Sequence, residues 1–447
     1  MRLFRRTCGV GAAAVLCGGF ALTARAADLP PVEAAPAYNW TGFYLGANAG
    51  DGFLETGYKR PFTTLANVST GTIKPQPTYD LHAGFNYQAA QRLVIGLEAN
   101  YTSFDGGKFN ELNGNLDFLQ STRYVAALSG RAGFLASPST MIYGKLGPAM
   151  IETRGYQGFG GTFQKMLNGF QAGLGIETLV TPNIALRAEG TYIQSLQTLS
   201  LNTGNDLNRP TFLQVAVGAS YKFDAPQGWS AAGAGGSFAA EKKRGAPVWT
   251  GVELGGLVSL NGNAMRYLDH VLGSQGSYSD ISPGGGGFVG INYQVNPNIV
   301  AGVEASGNWQ NANFSTAAGV TSTGGGGGTF YRFSTVNGIF AVTGRAGWLA
   351  TPDTLLYFKV GPAWIEARTL ANYFTAIVTP NPTGNHYLRG YQFGLGAETF
   401  VTSNISVRIE GLYTHSSDMI AEQSTTPVQF FLQPSSLSAT AGAALHF

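Results

Sequence analysis

The most constraining feature of this sequence is that it repeats itself. The stretch GRAGFLASPSTMIYGKLGP at 130–148 returns as GRAGWLATPDTLLYFKVGP at 344–362. Gly130, Arg131, Pro138, Lys145 and Pro148 have counterparts in Gly344, Arg345, Pro352, Lys359 and Pro362. The pair belongs to a longer duplication. WTGFYLGANAG from Trp40 matches WTGVELGGLVS from Trp249, and AGFNYQAAQRLVIGLEANY from Ala83 matches VGINYQVNPNIVAGVEASG from Val289. GFQAGLGIETLVTPNIALRAEGTY from Gly169 matches GYQFGLGAETFVTSNISVRIEGLY from Gly390, and LQVAVGASYKF ending at Phe223 corresponds to LSATAGAALHF ending at Phe447. The separation between matched blocks widens along the chain, so the extra residues fall between blocks, in connections.

Within each copy the apolar residues alternate, with turn residues between the runs, which is the pattern of strands. The first copy predicts eight of them, near 40–50, 78–88, 92–104, 122–136, 140–154, 168–181, 183–197 and 211–223. The connections AAQ, SPS and TPN are tight, whereas 51–77, 105–121, 155–167 and 198–210 are long and rich in Gly, Asn and Thr. Short turns at one end and long loops at the other are the signature of an outer-membrane barrel. Composition agrees: there are 63 Gly, and only 12% of residues are charged while 12% are aromatic. No segment beyond the N-terminus carries the run of about 18 apolar residues that a membrane helix needs.

The first residues set the compartment. MRLFRR is basic, the following GVGAAAVLCGGFALTA is apolar, and Ala24-Arg25-Ala26 is a small-residue cleavage site, so 1–26 reads as a secretory signal peptide. Residues 27–39 are a Pro/Ala-rich start to the mature chain. Cys8 and Cys17 both lie in the signal, so the mature chain has no disulfide and no thiolate metal site. Removing the signal's four arginines leaves 23 basic against 25 acidic residues, a net charge near −2, which argues against nucleic acid as a partner.

Alternation also says where the charges of the opening repeat point, because neighbouring side chains on a strand face opposite ways. Ile142, Gly144, Leu146 and Met150 share one face, and Tyr143, Lys145, Gly147 and Ala149 the other. The first face suits lipid, so Lys145 is expected inside. The same parity gives an inward set of Glu98, Arg131, Lys145, Glu177, Arg187 and Glu189 in the first copy. The second set is Glu304, Arg345, Lys359, Glu398, Arg408 and Glu410. An eight-stranded barrel is only wide enough to be filled by side chains, and an unpaired ion there is costly. Three acids and three bases per copy are therefore expected to pair as a structural charge network, with flanking glycines making room for the lysines. The rival reading is a selectivity ring in a pore. Leu93, Ile95, Leu97 and Tyr101 form an outward, lipid-facing row, and Leu174, Ile176 and Val180 a second. Trp309, Trp348, Trp364, Phe134 and Tyr192 are placed as an aromatic girdle.

Several motifs carry no chemistry. The glycine runs 284–287 and 324–328 lack the Lys-Ser/Thr and helix of a phosphate loop, and are expected as connectors in outer loops. His82, His270, His386, His415 and His446 show no metal-ligand spacing. His270 and His386 are expected in outer loops, where capture of haem or a metal is the functional alternative. No convergent Ser/His/acid group is evident, and His415-Ser416 reads as solvated rim. No catalytic residue, metal site or cofactor is expected.

The ordered, duplicated motifs, from NWTGFYLGANAG through GLGIET and ALRAEGTY to the terminal Phe447, resemble the small eight-stranded outer-membrane barrels of alphaproteobacteria. These form the porin-family or outer-membrane-immunogenic-protein group, similar to the OmpA transmembrane domain. The usual member is one barrel, so the duplication departs from the pattern. The resemblance implies that Phe447 acts as the signal for the barrel-assembly machinery. It also implies contact with outer-membrane lipid and lipopolysaccharide. The expected fold is all-β and antiparallel: two tandem transmembrane barrels at 40–223 and 247–447, joined by a linker at 224–246. One sixteen-stranded barrel is the alternative. The expected function is a non-enzymatic, surface-exposed protein of the outer membrane that supports envelope integrity. A porin or haem and small-solute uptake channel is the second reading, and a barrel enzyme acting on lipids the third.

Overall fold

The computed structural model describes residues 38–59, 68–71, 75–104, 118–157, 161–200, 207–223, 248–269, 275–318, 329–369, 384–423 and 429–447. The signal segment, the 224–246 linker, His270 and the glycine run at 324–328 lie outside these residues.

All regular structure among the described residues is strand. The first copy holds β1 (Gly42–Lys59), β2 (Val68–Gly71), β3 (Gln76–Ala90), β4 (Leu93–Phe104), β5 (Phe118–Ser137), β6 (Thr140–Gln157), β7 (Gly161–Leu179), β8 (Ile184–Ser195), β9 (Leu199–Ser200) and β10 (Leu207–Lys222). The second holds β11 (Gly251–Asp269), β12 (Gln275–Asn296), β13 (Ile299–Ala318), β14 (Thr329–Thr351), β15 (Thr354–Thr369), β16 (Gly384–Phe400), β17 (Ile405–Ser416), β18 (Ile420–Gln423) and β19 (Gln429–His446).

Neighbouring strands pair antiparallel, and each copy closes on itself. In the first, β1 pairs with both β3 and β10, and the ring continues through β4, β5, β6, β7 and β8. In the second, β11 pairs with both β12 and β19, continuing through β13 to β17. The short strands β2, β9 and β18 extend the edges of β1, β10 and β19. These two closures exclude a single sixteen-stranded barrel. One backbone bridge, Tyr278 to Thr70, connects the rings.

Strands are longer than the alternation predicts. β1 runs to Lys59 rather than 50, and β7 starts at Gly161 rather than 168. About 9–11 residues suffice to cross the bilayer. Beyond the lipid the outward face no longer needs apolar side chains, so the sequence pattern fades while the hydrogen-bonded ladder continues. The glycines 284–287, expected in a loop, lie inside β12, paired with β11 and β13. A Cβ at Gly286 would meet the Gly307 carbonyl oxygen of β13, and one at Gly284 would meet the Asn261 amide and Ser259 hydroxyl, so this wall needs glycine to pack closely.

The interiors are filled in layers. At the tight-turn end Trp40 packs with Val94, Leu135, Met141 and Tyr143, its indole N–H donating to the Pro138 carbonyl at 3.0 Å. Trp249 does the same in the second ring, donating to Pro352 at 3.0 Å. At the opposite end an apolar layer forms around Phe104, Ile151 and Phe212, matched by Phe314, Phe333 and Ile365. Charged and polar layers lie between.

Outside, Leu93, Ile95, Leu97 and Tyr101 are exposed as the lipid-facing row requires, and so is Leu174. Ile176 is a correction: it points outward but is buried, in a cluster with Ala188, Ala397 and Ile409 that also touches Ile142 and Leu356. The second ring covers it. The two rings belong to one compact unit and meet along a face where several contacts have a repeat-related twin. Gly190 approaches Ala439 as Gly411 approaches Val215. Three contacts join a residue to its own counterpart: Phe53 lies over Gly262, Thr140 Oγ1 is 2.8 Å from Thr354 Oγ1, and Ile176 shares a cluster with Ala397. The interface thus has pseudo-two-fold symmetry.

Candidate functional site

Each ring carries one charge lattice at mid-lumen, and all twelve inward charges named from the sequence sit in it, none more than 6% exposed. Alternation puts them inside, and the glycines of the opposite strands make the space. A Cβ on Gly173 or Gly394 would press on the stems of Lys145 and Lys359, and one on Gly175 or Gly396 would meet the rings of Tyr143 and Tyr357. Room for the lysines therefore comes from across the sheet, not from their flanking glycines. Gly144 is outward, and a Cβ on Gly147 would meet the Leu128 carbonyl rather than Lys145. This accounts for the repeated GLGIE and GLGAE motifs: long side chains of β6 and β15 lie across glycines of β7 and β16.

In the first ring Lys145 Nζ reaches Glu98 at 3.0 Å and Glu189 at 2.7 Å. Arg187 bonds the same two acids at 2.9 and 2.7 Å, while Arg131 bonds Glu177 and lies 3.9 Å from Glu98. In the second ring Lys359 holds Glu304 at 2.9 Å and Glu410 at 2.8 Å, Arg408 bonds Glu304 at 2.6 Å, and Arg345 bonds Glu398. Tyr143 donates to Glu189 at 2.6 Å and Tyr357 to Glu410 at 2.8 Å, with the Arg131 and Arg345 guanidiniums stacked on these rings at 3.7 and 3.9 Å. The chemistry of such a lattice is mutual neutralisation. Most of its acids have several cationic or hydroxyl donors each, whereas Glu177 is held by Arg131.

Further members lie outside the twelve charges. Tyr44 donates to Glu98 at 3.0 Å. Its counterpart in the second ring is Glu253, bonded to Arg345 at 3.0 Å. His446 Nε2 lies 3.2 Å from Glu398 Oε1, and Ser406 donates to that oxygen at 2.5 Å. Their first-ring counterparts are Lys222 and Ala185. Glu253 was legible: it lies between outward Val252 and Leu254. Searching only for charges present in both copies hides it, because its partner position is tyrosine.

A second polar layer in the first ring was also missed. Asp80 accepts from Asn48 at 2.8 Å, from Thr102 at 2.9 Å and from Asn100 at 3.2 Å. His82 Nδ1 lies 3.1 Å from Asp80, and its Nε2 lies 2.9 Å from the Ser220 hydroxyl. The Ser/His/acid alignment that the sequence did not reveal is therefore present, on β3 and β10, reaching across Gly46 of the intervening β1. All three residues are buried within the filled lumen. Of the other histidines, His386 sits in β16 rather than in an outer loop, 3.3 Å from Thr369, and His415 is half-buried beside Tyr413. Phe447 is exposed, its backbone N–H bonded to the Val252 carbonyl at 2.9 Å.

The family model described as outer membrane protein beta-barrel domain matches residues 12–223 and again 230–443. The 25 kDa outer-membrane immunogenic protein of Brucella canis is 32% identical over 216 residues, covering 46% of this chain and 92% of that protein. The 31 kDa outer-membrane immunogenic protein of Brucella melitensis is 26% identical over 233 residues, covering 46% and 95%. Among solved structures, Neisserial surface protein A aligns over 41% of this chain and 98% of its own, at 16% identity and a TM-score of 0.27.

Proposed function

Because the chain belongs, twice over, to the outer membrane protein beta-barrel domain family, and so to the outer membrane, we propose that it is a non-conducting, non-enzymatic wall element of that membrane. Its work is to fill and brace the envelope and to present the segments between its strands at the surface. The observation that carries this is the layered lumen. In each ring a tryptophan-capped layer, a charge lattice and an apolar layer follow one another. The lattice charges face one another, whereas a selectivity ring presents charge of one sign to passing ions. Ser220, His82 and Asp80 are buried among the side chains that fill the lumen, which supports a structural role for them as well. The relatives' description as immunogenic fits exposure at the surface. In this reading the outward rows contact outer-membrane lipid and lipopolysaccharide, and Phe447 addresses the chain to the assembly machinery.

Conductance tests the proposal. The folded protein in a planar lipid bilayer is expected to give no stable open steps above the bare membrane. Discrete steps that scale with salt concentration would overturn it in favour of a pore.

A further inference from the structure

We propose that the second ring holds a divalent transition cation, with zinc as the best fit, between Glu253, Glu398 and His446. One ligand atom from each lies within 4.8 Å of the other two. A tetrahedral zinc with bonds of about 2.0–2.2 Å sets its ligands about 3.3 Å apart. His446 Nε2 and Glu398 Oε1 already stand at 3.2 Å, so the set closes by side-chain adjustment of about an ångström or less per group.

The carboxylate oxygens are arranged for it. Arg345 takes Glu253 Oε1 at 3.0 Å and bonds Glu398 through Oε2. That leaves Glu398 Oε1 toward the imidazole and Glu253 Oε2 with no hydrogen-bond partner among the described residues, on a side chain with no solvent exposure. A buried carboxylate oxygen without a partner is a costly feature that a bound cation would remove.

The duplication supplies an independent reason. The same three positions in the first ring are Tyr44, Glu177 and Lys222, one acid and one base. In the second ring tyrosine has become glutamate and lysine has become histidine. With a neutral imidazole this corner is two charges more negative than its twin, while the arginine beside it, Arg131 or Arg345, is retained. A divalent cation restores the balance, and an imidazole with two carboxylates is a donor set for zinc rather than for calcium or magnesium, which favour all-oxygen shells. Ser406, which replaces Ala185, lies 2.9 Å from His446 Nε2 and holds the Glu398 oxygen in place. His446 is one residue from the exposed Phe447, at the tight-turn end, and its side chain keeps 8% solvent exposure, through which an ion can enter. Nothing here depends on whether the lumen conducts.

The test is zinc titration of the folded, untagged full-length chain in detergent after metal stripping, read by calorimetry. The expected result is one zinc per chain, not displaced by millimolar magnesium or calcium. His446→Lys, which installs the first-ring residue, should weaken binding at least tenfold while the protein keeps its heat-modifiable gel mobility. Glu253→Tyr, the other first-ring residue, should do the same and serves if the lysine variant fails to fold. No uptake by the native protein, or unchanged affinity in a folded variant, would overturn the proposal.

Discussion

The two rings share a frame and differ in what surrounds it. Both keep three acids and three bases at the same positions, with Tyr143 and Tyr357 under the arginines. On either side of this frame the chemistry diverges. Toward the tight turns, Tyr44, Ala185 and Lys222 become Glu253, Ser406 and His446. Toward the other end, Asp80, His82 and Ser220 become Gly286, Phe288 and Ala444. Shape survives this exchange. His82 crosses Gly46, and Phe288 crosses the matching Gly255, each ring occupying the space a Cβ would take. In the second ring that phenyl meets Arg408, whose guanidinium carbon is 3.2 Å from the ring centroid. A buried polar group can thus be traded for an apolar one of similar form, provided all its partners change together.

The largest way to break this comparison is at the arginines. Arg345→Met would leave Glu253 with only Arg408 at 3.8 Å and strip Glu398 of its guanidinium. The expected loss is about 3–5 kcal/mol in denaturant unfolding from micelles. Arg131→Met deprives Glu177, but Glu98 keeps Lys145 and Arg187. A loss at the lower end of that range, about 3 kcal/mol, is expected there, because one carboxylate is stranded rather than two. Equal losses would mean that the extra acid of the second ring does not lean on Arg345.

A smaller effect is expected from making the first ring resemble the second. His82→Phe removes one donor from Asp80 and the partner of Ser220, at a cost of about 1–3 kcal/mol. Changing Ser220→Ala in the same chain should return part of that cost, because no buried hydroxyl is then left without its imidazole partner. A double variant less stable than the single one would show that shape and polarity do not trade as the comparison holds.

The smallest effect lies outside both lattices. Asp418 pairs with Arg389 at 3.0 Å on the exposed rim of the second ring, with no counterpart pair in the lumen. Asp418→Asn should leave thermal unfolding unchanged, because exposed pairs are screened by water and salt. A measurable drop would show that the rim contributes to the stability assigned here to the interior.

The fold was legible because a period of two, repeated twice, leaves few alternatives. The inward charges were legible for the same reason. What the sequence concealed has three sources. Strand ends beyond the membrane carry no alternation, so β1 and β7 looked short. The His82–Ser220 contact joins strands that are neighbours of a neighbour, through a glycine whose spacing in the chain announces nothing. Ile176 reads as lipid-facing because its strand parity is outward, and only the docking of the second ring makes it a buried residue.

That docking has a consequence for how the chain evolved. In a dimer of identical barrels, every residue on the two-fold axis must face itself, so a phenylalanine meets a phenylalanine and a glycine leaves a hole. Covalent duplication lifts this restriction. Here Phe53 faces Gly262, and the isoleucines and alanines are exchanged between copies, with Ile176 and Ala188 in one and Ala397 and Ile409 in the other. Bulk on one side is answered by absence on the other. Neither half could make this contact with its own kind, so the fused gene has become a key and a lock cut from one template.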